Sequence, residues 1–182
     1  MRITEKNIKV KLNDDVLKIK QFDNYVNMYI GDKSETLRAF EVHNERWSYG
    51  CCISPFDEFT QVSFVNGIYT QKGGKHVDYV VNQIVKKIID HIQKKKKVQV
   101  KPTAIKEQLF VFVNCTVENP AFDSQTKDYL NTPVSKFGSS CSVSDKFIAQ
   151  VCKLGVVQTA CALTDVKDKK QATKTDGNKC KS

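Results

Sequence analysis

The sequence lacks the features of a membrane-spanning or secreted protein. Its longest apolar run is far shorter than a membrane-spanning helix, and no apolar core follows the first residues as it would in a signal peptide. We therefore expect no membrane partner. The composition, 40% hydrophobic and 27% charged residues over 182 positions, is typical of a soluble globular protein of about one domain, with length left for an arm or a tail.

Recognisable metal-binding patterns are also missing. None of the seven cysteines belongs to a Cys-x-x-Cys pair and no His-x-x-x-His pair accompanies them, so we expect no metal site. The number of cysteines is odd, and several lie in apolar stretches, as buried free thiols do. Free thiols indicate a reducing compartment, the cytosol or the nucleus.

The common glycine-rich phosphate loops do not occur, neither Gly-x-Gly-x-x-Gly nor Gly-x-x-x-x-Gly-Lys-Ser/Thr. Instead, Gly73 and Gly74 lie where a strand should give way to a helix, and they permit positive φ or a close approach to another segment or a ligand. His76, near Asp78, is a candidate general base, but capping of the first helical turn is the favoured interpretation. A triad that includes Ser63 is not supported by the spacing, and we predict no catalytic residue in this chain.

Positive charge is the property of the composition that says most about a partner. The net charge of +9 favours an anionic partner, most often nucleic acid, although solubility or a lysine-rich organism would also explain it. Lys94, Lys95, Lys96 and Lys97 end a predicted helix, where cations interact favourably with the helix dipole. Four adjacent lysines exceed that need and repel one another unless a polyanion is near.

Hydrophobic spacing predicts three main helices. They are a short helix over 22–30 that stops at Gly31, a long one from 76 to about 95, and one that is capped by Ser142 or Ser144 and bent at Gly155. One or two further helical turns are predicted over 102–108.

The predicted strands lie between these helices. They are a β-hairpin over 8–20, two longer strands over 40–53 and 61–69 that pair antiparallel, and a strand over 109–113 that is buried on both faces. Together, the elements predict an α+β fold, one mainly antiparallel sheet with helices on one face.

A polar loop, residues 119–127, follows the buried strand. Pro120 cannot donate to a sheet ladder, so the strand must stop or reach an edge there. Gln125, Thr126 and Lys127 then present an amide, a hydroxyl and an ammonium group, which together suit phosphate oxygens. The alternative is an ordinary solvated loop.

Three blocks together identify a family resemblance. They are QVSFVNGIYTQKGGKHVDYV (61–80), FVFVNCTVENPAFDSQTK (110–127) and SKFGSSCSVSDKFI (135–148). Their order and spacing resemble the second domain of the ATPase region of type II DNA topoisomerases, over about residues 6 to 165. The Phe-Asp-Ser before Gln-Thr-Lys looks like the eukaryotic and viral enzymes rather than bacterial gyrase.

The resemblance implies a fold and a domain organisation. The corresponding family domain, the transducer, has the fold of ribosomal protein S5 domain 2, with a left-handed βαβ crossover that is an exception to the usual hand. Residues 1–165 would form this domain. Residues 166–182, polar and lysine-rich, would form a tail or a linker towards the DNA-cleavage core.

The resemblance also implies a function, the coupling of ATP binding and hydrolysis to DNA strand passage. Gln125, Thr126 and Lys127 would reach into the upstream nucleotide-binding domain, where Lys127 would contact the γ-phosphate of ATP. The lysines at 94–97, with Lys101, would contact double-stranded DNA. The full-length enzyme would be a homodimer that uses ATP and Mg²⁺, nuclear, or cytoplasmic or in the virion if viral.

We expect this chain to be a piece of such an enzyme, inactive alone and holding no cofactor by itself, since the nucleotide-binding and cleavage domains are not in it. The alternative is a free-standing basic nucleic-acid-binding module without nucleotide dependence. It explains the charge but leaves the Gln-Thr-Lys loop without a role. A mismatch-repair or chaperone relative is disfavoured by the Phe-Asp-Ser-Gln-Thr-Lys string.

Overall fold

The computed structural model describes residues 11–16, 19 and 21–162. The predicted tail over 166–182 and residues 8–10, 17, 18 and 20 of the hairpin predicted over 8–20 lie outside the described residues. The centre of that hairpin is confirmed. Strands β1 (Lys11–Leu12) and β2 (Asp15–Val16) pair antiparallel around Asn13 and Asp14, which both have positive φ.

A five-stranded sheet forms the centre of the fold, in the order β3-β4-β8-β5-β6. The remaining strands, in chain order, are β3 (Ala39–Asn44), β4 (Trp47–Ile53), β5 (Thr60–Val65), β6 (Ile68–Tyr69), β7 (Gly73–Gly74), β8 (Leu109–Cys115) and β9 (Tyr129–Leu130). The pairings are antiparallel except between β5 and β8, which run parallel, so the sheet is mixed but mainly antiparallel.

Strand β8 is the middle strand, buried on both faces as predicted. Val111 and Val113 pack in one core cluster, and Phe110 and Phe112 pack in another on the opposite face. Because both faces are covered, the strand reads as a nearly continuous apolar run.

Both longer predicted strands are in fact hairpins. The segment over 40–53 turns at Glu45 and Arg46, where the Arg46 amide donates to Asn44 Oδ1 at 2.9 Å. The segment over 61–69 turns at Asn66 and Gly67, both with positive φ, an Asn-Gly signal for a tight hairpin. The predicted antiparallel pairing of the two segments is wrong, because β8 lies between β4 and β5 and pairs with both.

The helices follow the predicted periodicity closely. They are α1 (Phe22–Ile30), α2 (Lys75–Lys96), α3 (Pro102–Lys106), α4 (Asp145–Lys153) and α5 (156–162). Of the two predicted caps for α4, Ser144 is the one used, since its Oγ accepts from the Phe147 amide at 3.0 Å. Gly155, with φ +102°, interrupts the predicted helix instead of bending it.

The helices cover both faces of the sheet. Helices α2 and α4 pack on the face that carries Val111 and Val113, as predicted, whereas α1 packs on the face that carries Phe110 and Phe112. The fold class, α+β, is confirmed, and the single-face arrangement holds for α2 and α4 only. The connection from β5 through α2 to the parallel strand β8 is a βαβ unit, and its left hand stays a prediction. Over the described ranges, no helix is long and apolar enough to cross a membrane.

Candidate functional site

The predicted phosphate-contacting loop is a compact excursion between β8 and β9. Its two arms pair with each other: the Asn131 amide donates to Ala121 O at 2.8 Å, and the Ala121 amide donates to Thr132 Oγ1 at 2.7 Å. A single antiparallel bridge joins Phe122 to Leu130. These bonds connect residues 121–122 with 130–132, so the two arms of the excursion hold each other in place.

At the tip of the loop, Thr126 orders its neighbours. Its hydroxyl donates to Asp128 Oδ2 at 2.8 Å, and its oxygen lies 2.7 Å from Ser124 Oγ. The Lys127 amide donates to Ser124 O at 3.1 Å. Since the Thr126 hydrogen is already donated to Asp128, in this conformation the threonine shapes the loop and does not offer that hydrogen to a ligand.

The side chains of Gln125 and Lys127, unlike that of Thr126, make no hydrogen bond to another described residue. Gln125 is exposed and Lys127 is half-buried, with φ +59°. Within the part of the chain that the structure describes, no ion pair includes Lys127. An ammonium group without an acid partner suits an anionic ligand. The structure thus brings the predicted Gln125, Thr126 and Lys127 together at one tip, and their ligand stays a prediction.

The return arm of the loop is attached to the start of α2. Strand β7 pairs in parallel with β9, the Lys72 amide donates to Asp128 O at 2.9 Å, and Lys72 Nζ lies 3.7 Å from Asp128 Oδ2. We call residues 72–74 and 128–130 the loop staple. This contact was not predicted from the sequence, although the pair Gly73-Gly74, predicted to permit a close approach, was its signal.

The predicted DNA-contacting lysines lie at the other end of α2. Lys94, Lys95 and Lys96 form its last turn, and Lys97 ends it in the left-handed conformation with φ 53°. These four and Lys101 are exposed. No ion pair includes any of the five among the described residues, so their charge is not neutralised within the part of the domain that the structure describes.

The two sets of predicted site residues are therefore far apart. The loop is stapled to the residues just before α2, and the lysines lie at the other end of this helix of 22 residues. At about 1.5 Å per residue, the helix separates them by roughly 33 Å. The rigid helix α2 connects them.

Helix α4 lies beside the C-terminal half of α2. Lys87 Nζ is 2.7 Å from Asp145 Oδ1 in the first turn of α4. The hydrogen bond from Lys87 and its charge lower the pKa of the Asp145 carboxyl, and the charge of Lys94 acts in the same direction. The field of the lysine run thus extends to the start of α4.

His76 is buried inside the domain, and its predicted capping role is wrong. Its Nε2 lies 3.2 Å from Thr70 Oγ1, which lies 2.6 Å from Ser63 Oγ. Its Nδ1 has no partner among the described residues. Burial lowers the pKa of His76 to about 3, so the ring is neutral near pH 7 and is not placed to act on a substrate at the surface.

His76 predicts a pH-dependent stability. Its folded pKa of about 3 lies below the ordinary value of 6.5, so below pH 6.5 the unfolded chain binds a proton that the folded chain does not. The free energy of unfolding is therefore fully retained above that pH and falls as the pH drops towards 3. Between pH 7 and pH 5 we expect a loss of up to about 2 kcal/mol from this group. Urea unfolding at both pH values measures it, and His76→Gln should remove that part of the loss. An equal loss in the variant would contradict the assignment.

The family model and the most similar known proteins agree on one family. The family model described as DNA gyrase B matches residues 21–177. The chain is 40% identical to DNA topoisomerase 2 of Drosophila melanogaster, over 97% of this chain and 13% of the relative. It is 43% identical to DNA topoisomerase 2 of Pisum sativum, over 96% of this chain and 12% of the relative. The chain thus spans about an eighth of the length of these relatives.

Two solved structures share the fold. The ATPase region of Saccharomyces cerevisiae topoisomerase II is 41% identical with a TM-score of 0.77, covering 86% of this chain and 40% of that one. The ATPase and transducer domains of DNA topoisomerase II from Balamuthia mandrillaris are 35% identical with a TM-score of 0.82, covering 92% and 42%. The family model matches most of this chain. The chain therefore belongs to the type II DNA topoisomerase family, as a part of the ATPase region.

Proposed function

We propose that this chain is the transducer of an ATP-dependent type II DNA topoisomerase and couples the state of the bound nucleotide to DNA strand passage. The observation that carries the proposal is Lys127, an ammonium group at the tip of a self-paired loop, half-exposed and without an acid partner in the described part of the chain. Such a group would bind the γ-phosphate of ATP held by the upstream nucleotide-binding domain.

The physical basis of the coupling is a difference between two nucleotides. The γ-phosphate offers negative charge and acceptor oxygens that ADP lacks, so Lys127 gains a contact only in the ATP state. A charge-assisted contact of this kind contributes roughly 1.5–3 kcal/mol, which shifts an equilibrium between two domain orientations about tenfold or more. ATP and Mg²⁺ would be held by the neighbouring domain, with Gln125 beside Lys127 adding an amide donor.

The partner at the other end of the domain would be double-stranded DNA. Lys94 to Lys97, with Lys101, are exposed and unpaired among the described residues, and a lysine contacts phosphate oxygens as a point charge. Contacts of this type position a protein on DNA without reading its sequence. The lysines would thus hold the DNA backbone while the nucleotide state changes.

The activity of the whole enzyme is part of the same proposal. The relatives are named DNA topoisomerase 2, and this chain spans only a small share of their length. We propose that the full-length protein is an ATP-hydrolysing isomerase of DNA that acts as a homodimer in the nucleus. The free-standing nucleic-acid-binding module is not favoured, because it leaves the loop and the family relationship without a role.

The coupling is tested by the DNA affinity of the full-length enzyme with and without a non-hydrolysable ATP analogue, with ADP as the control nucleotide. A transducer that links the two ligands should change the dissociation constant for duplex DNA roughly fivefold or more with the analogue, and little with ADP. A basic module without nucleotide dependence would give the same constant in all three conditions, and that result would refute the proposal.

A further inference from the structure

We propose that the loop staple is the coupling joint of this domain: it ties the Gln-Thr-Lys loop to α2, so that movement of Lys127 also moves the lysine run. This inference rests on the proposed function and names the residues that would transmit its signal. The joint consists of residues 72–74 and 128–130, none of which would touch the nucleotide or the DNA.

At Gly74, the two strands of the joint leave no room for a side chain. With φ +140°, a Cβ atom built there would lie 2.5 Å from the Leu130 amide nitrogen and 2.6 Å from the Leu130 carbonyl oxygen. Real Cβ atoms do not approach backbone so closely, so only glycine permits β7 and β9 to meet at this distance. Leu130 is itself completely buried, which holds β9 in the core.

The joint connects the loop to the regular elements of the domain through fewer residues than the other end of the loop does. Lys127 is followed after one residue by β9, which pairs directly with β7, and β7 is followed at once by the first residue of α2. On the other side, β8 reaches the loop only through residues 116–120, which belong to no strand or helix. A displacement of the tip is thus passed on most directly through β9 and β7.

The element beyond the joint is stiff. Val80, Val81, Ile84 and Ile88 of α2 are completely buried, so the helix is held along its length by the core. Because the core holds α2, the helix and the sheet turn as one body, and a rotation of about 10° about the joint moves the far end of α2, roughly 33 Å away, by about 6 Å. That displacement exceeds the rise of ~3.4 Å per base pair of DNA, so a small rotation would change which phosphates the lysines reach.

The joint is separable from the loop's own structure. The bonds that shape the loop run between its own two arms, from Ala121 to Asn131 and Thr132, from Asp123 to Tyr129 and from Thr126 to Asp128, and none of them includes the 72–74 side of the joint. Forcing β7 away from β9 should therefore leave the loop able to present Lys127. We expect such a variant to bind both ligands but to lose the effect of the nucleotide on the affinity for DNA.

The test is Gly74→Ala in the full-length enzyme, read as the ratio of DNA dissociation constants without and with a non-hydrolysable ATP analogue. The added methyl group forces β7 away from β9, so we expect the ratio to fall to within about twofold of one, while DNA affinity without nucleotide and analogue affinity without DNA stay near wild type. The matched control is Gly73→Ala. It also places alanine at positive φ, +77°, but its Cβ would meet only side-chain atoms of Gln61 and Val77, at 3.5 Å. It should keep the wild-type ratio.

A second variant shows whether the joint acts through the lysines. With Lys94 to Lys97 replaced by alanine, the ratio should already be near one, and adding Gly74→Ala should lower it no further.

A folded Gly74→Ala enzyme with the wild-type ratio would overturn the inference, and so would a combined loss larger than that of the lysine variant. If Gly74→Ala does not fold, Lys72→Pro decides: it removes the amide bond to Asp128 O and the Nζ contact with Asp128 Oδ2 but keeps the bond between Thr126 and Asp128, and an unchanged ratio overturns the inference. A ratio of one in the wild type would instead refute the proposed function itself.

Discussion

Replacing Lys127 by alanine in the full-length enzyme should lower ATP hydrolysis roughly 10- to 150-fold. This range corresponds to the ~1.5–3 kcal/mol of one charge-assisted contact to the γ-phosphate, at about 1.4 kcal/mol per tenfold change in rate. Strand passage should fall with it. The fold should be retained, because Lys127 is half-exposed and makes no ion pair with another described residue. Steady-state ATP hydrolysis and DNA relaxation assays measure the two effects.

The choice of alanine matters because Lys127 has positive φ. Alanine disfavours this conformation as lysine does, whereas glycine would relieve it and add a backbone effect. Lys136→Ala is the matched control, an exposed lysine in the short helical turn Val134–Lys136 outside the loop, and it should leave hydrolysis unchanged. A folded Lys127→Ala enzyme that hydrolyses ATP at the wild-type rate would remove the basis of the sensing role.

Replacing the four lysines at 94–97 by alanine should weaken DNA binding and flatten its dependence on salt. Each phosphate contact releases counterions, so its loss should reduce the slope of log K against log salt by roughly 0.9, or about 3.6 for four contacts. Alanine is a strong helix former, so the last turn of α2 should persist. The DNA affinity of the full-length enzyme, measured over a series of salt concentrations, gives the slope.

A lysine at the opposite end of the same helix provides the control. Lys75, exposed in the first turn of α2, has the same charge but lies roughly 33 Å from the run, so Lys75→Ala should leave the slope unchanged. If the four-lysine variant keeps the wild-type slope, these residues form only a solvated helix end that the dipole stabilises.

The helices could be predicted from the sequence because their signals are local. The spacing of Val77, Val80, Val81 and Ile84 marks one face of α2, and that face is buried. The strand over 109–113 was recognised in the same way, from a short run of β-forming residues. The hairpin turns at Glu45 and Asn66 were missed, because apolar residues on both sides of a turn resemble one continuous strand when the turn signal is overlooked.

The order of the strands could not be predicted from these local patterns. Insertion of β8 between β4 and β5 brings together segments more than 40 residues apart. No local pattern in these segments shows which strand each of them pairs with. The prediction that all helices lie on one face was wrong for α1, whose aromatic residues pack on Phe64 and Phe112 through contacts that only the assembled sheet provides. His76 shows the same limit, since a histidine near a helix start has the same local pattern whether it caps the helix or is buried.

By itself, the sequence determined the α+β class, the positions of the main helices, the central buried strand, and the grouping of Gln125, Thr126 and Lys127 in one loop, because side-chain periodicity and chain adjacency are local properties. Only the tertiary structure decided that Gly74 meets Leu130 and that the loop is thereby attached to the helix that ends in Lys94 to Lys97. Such a contact depends on the packing of segments distant in the chain, where the absence of a single Cβ atom permits two backbones to touch.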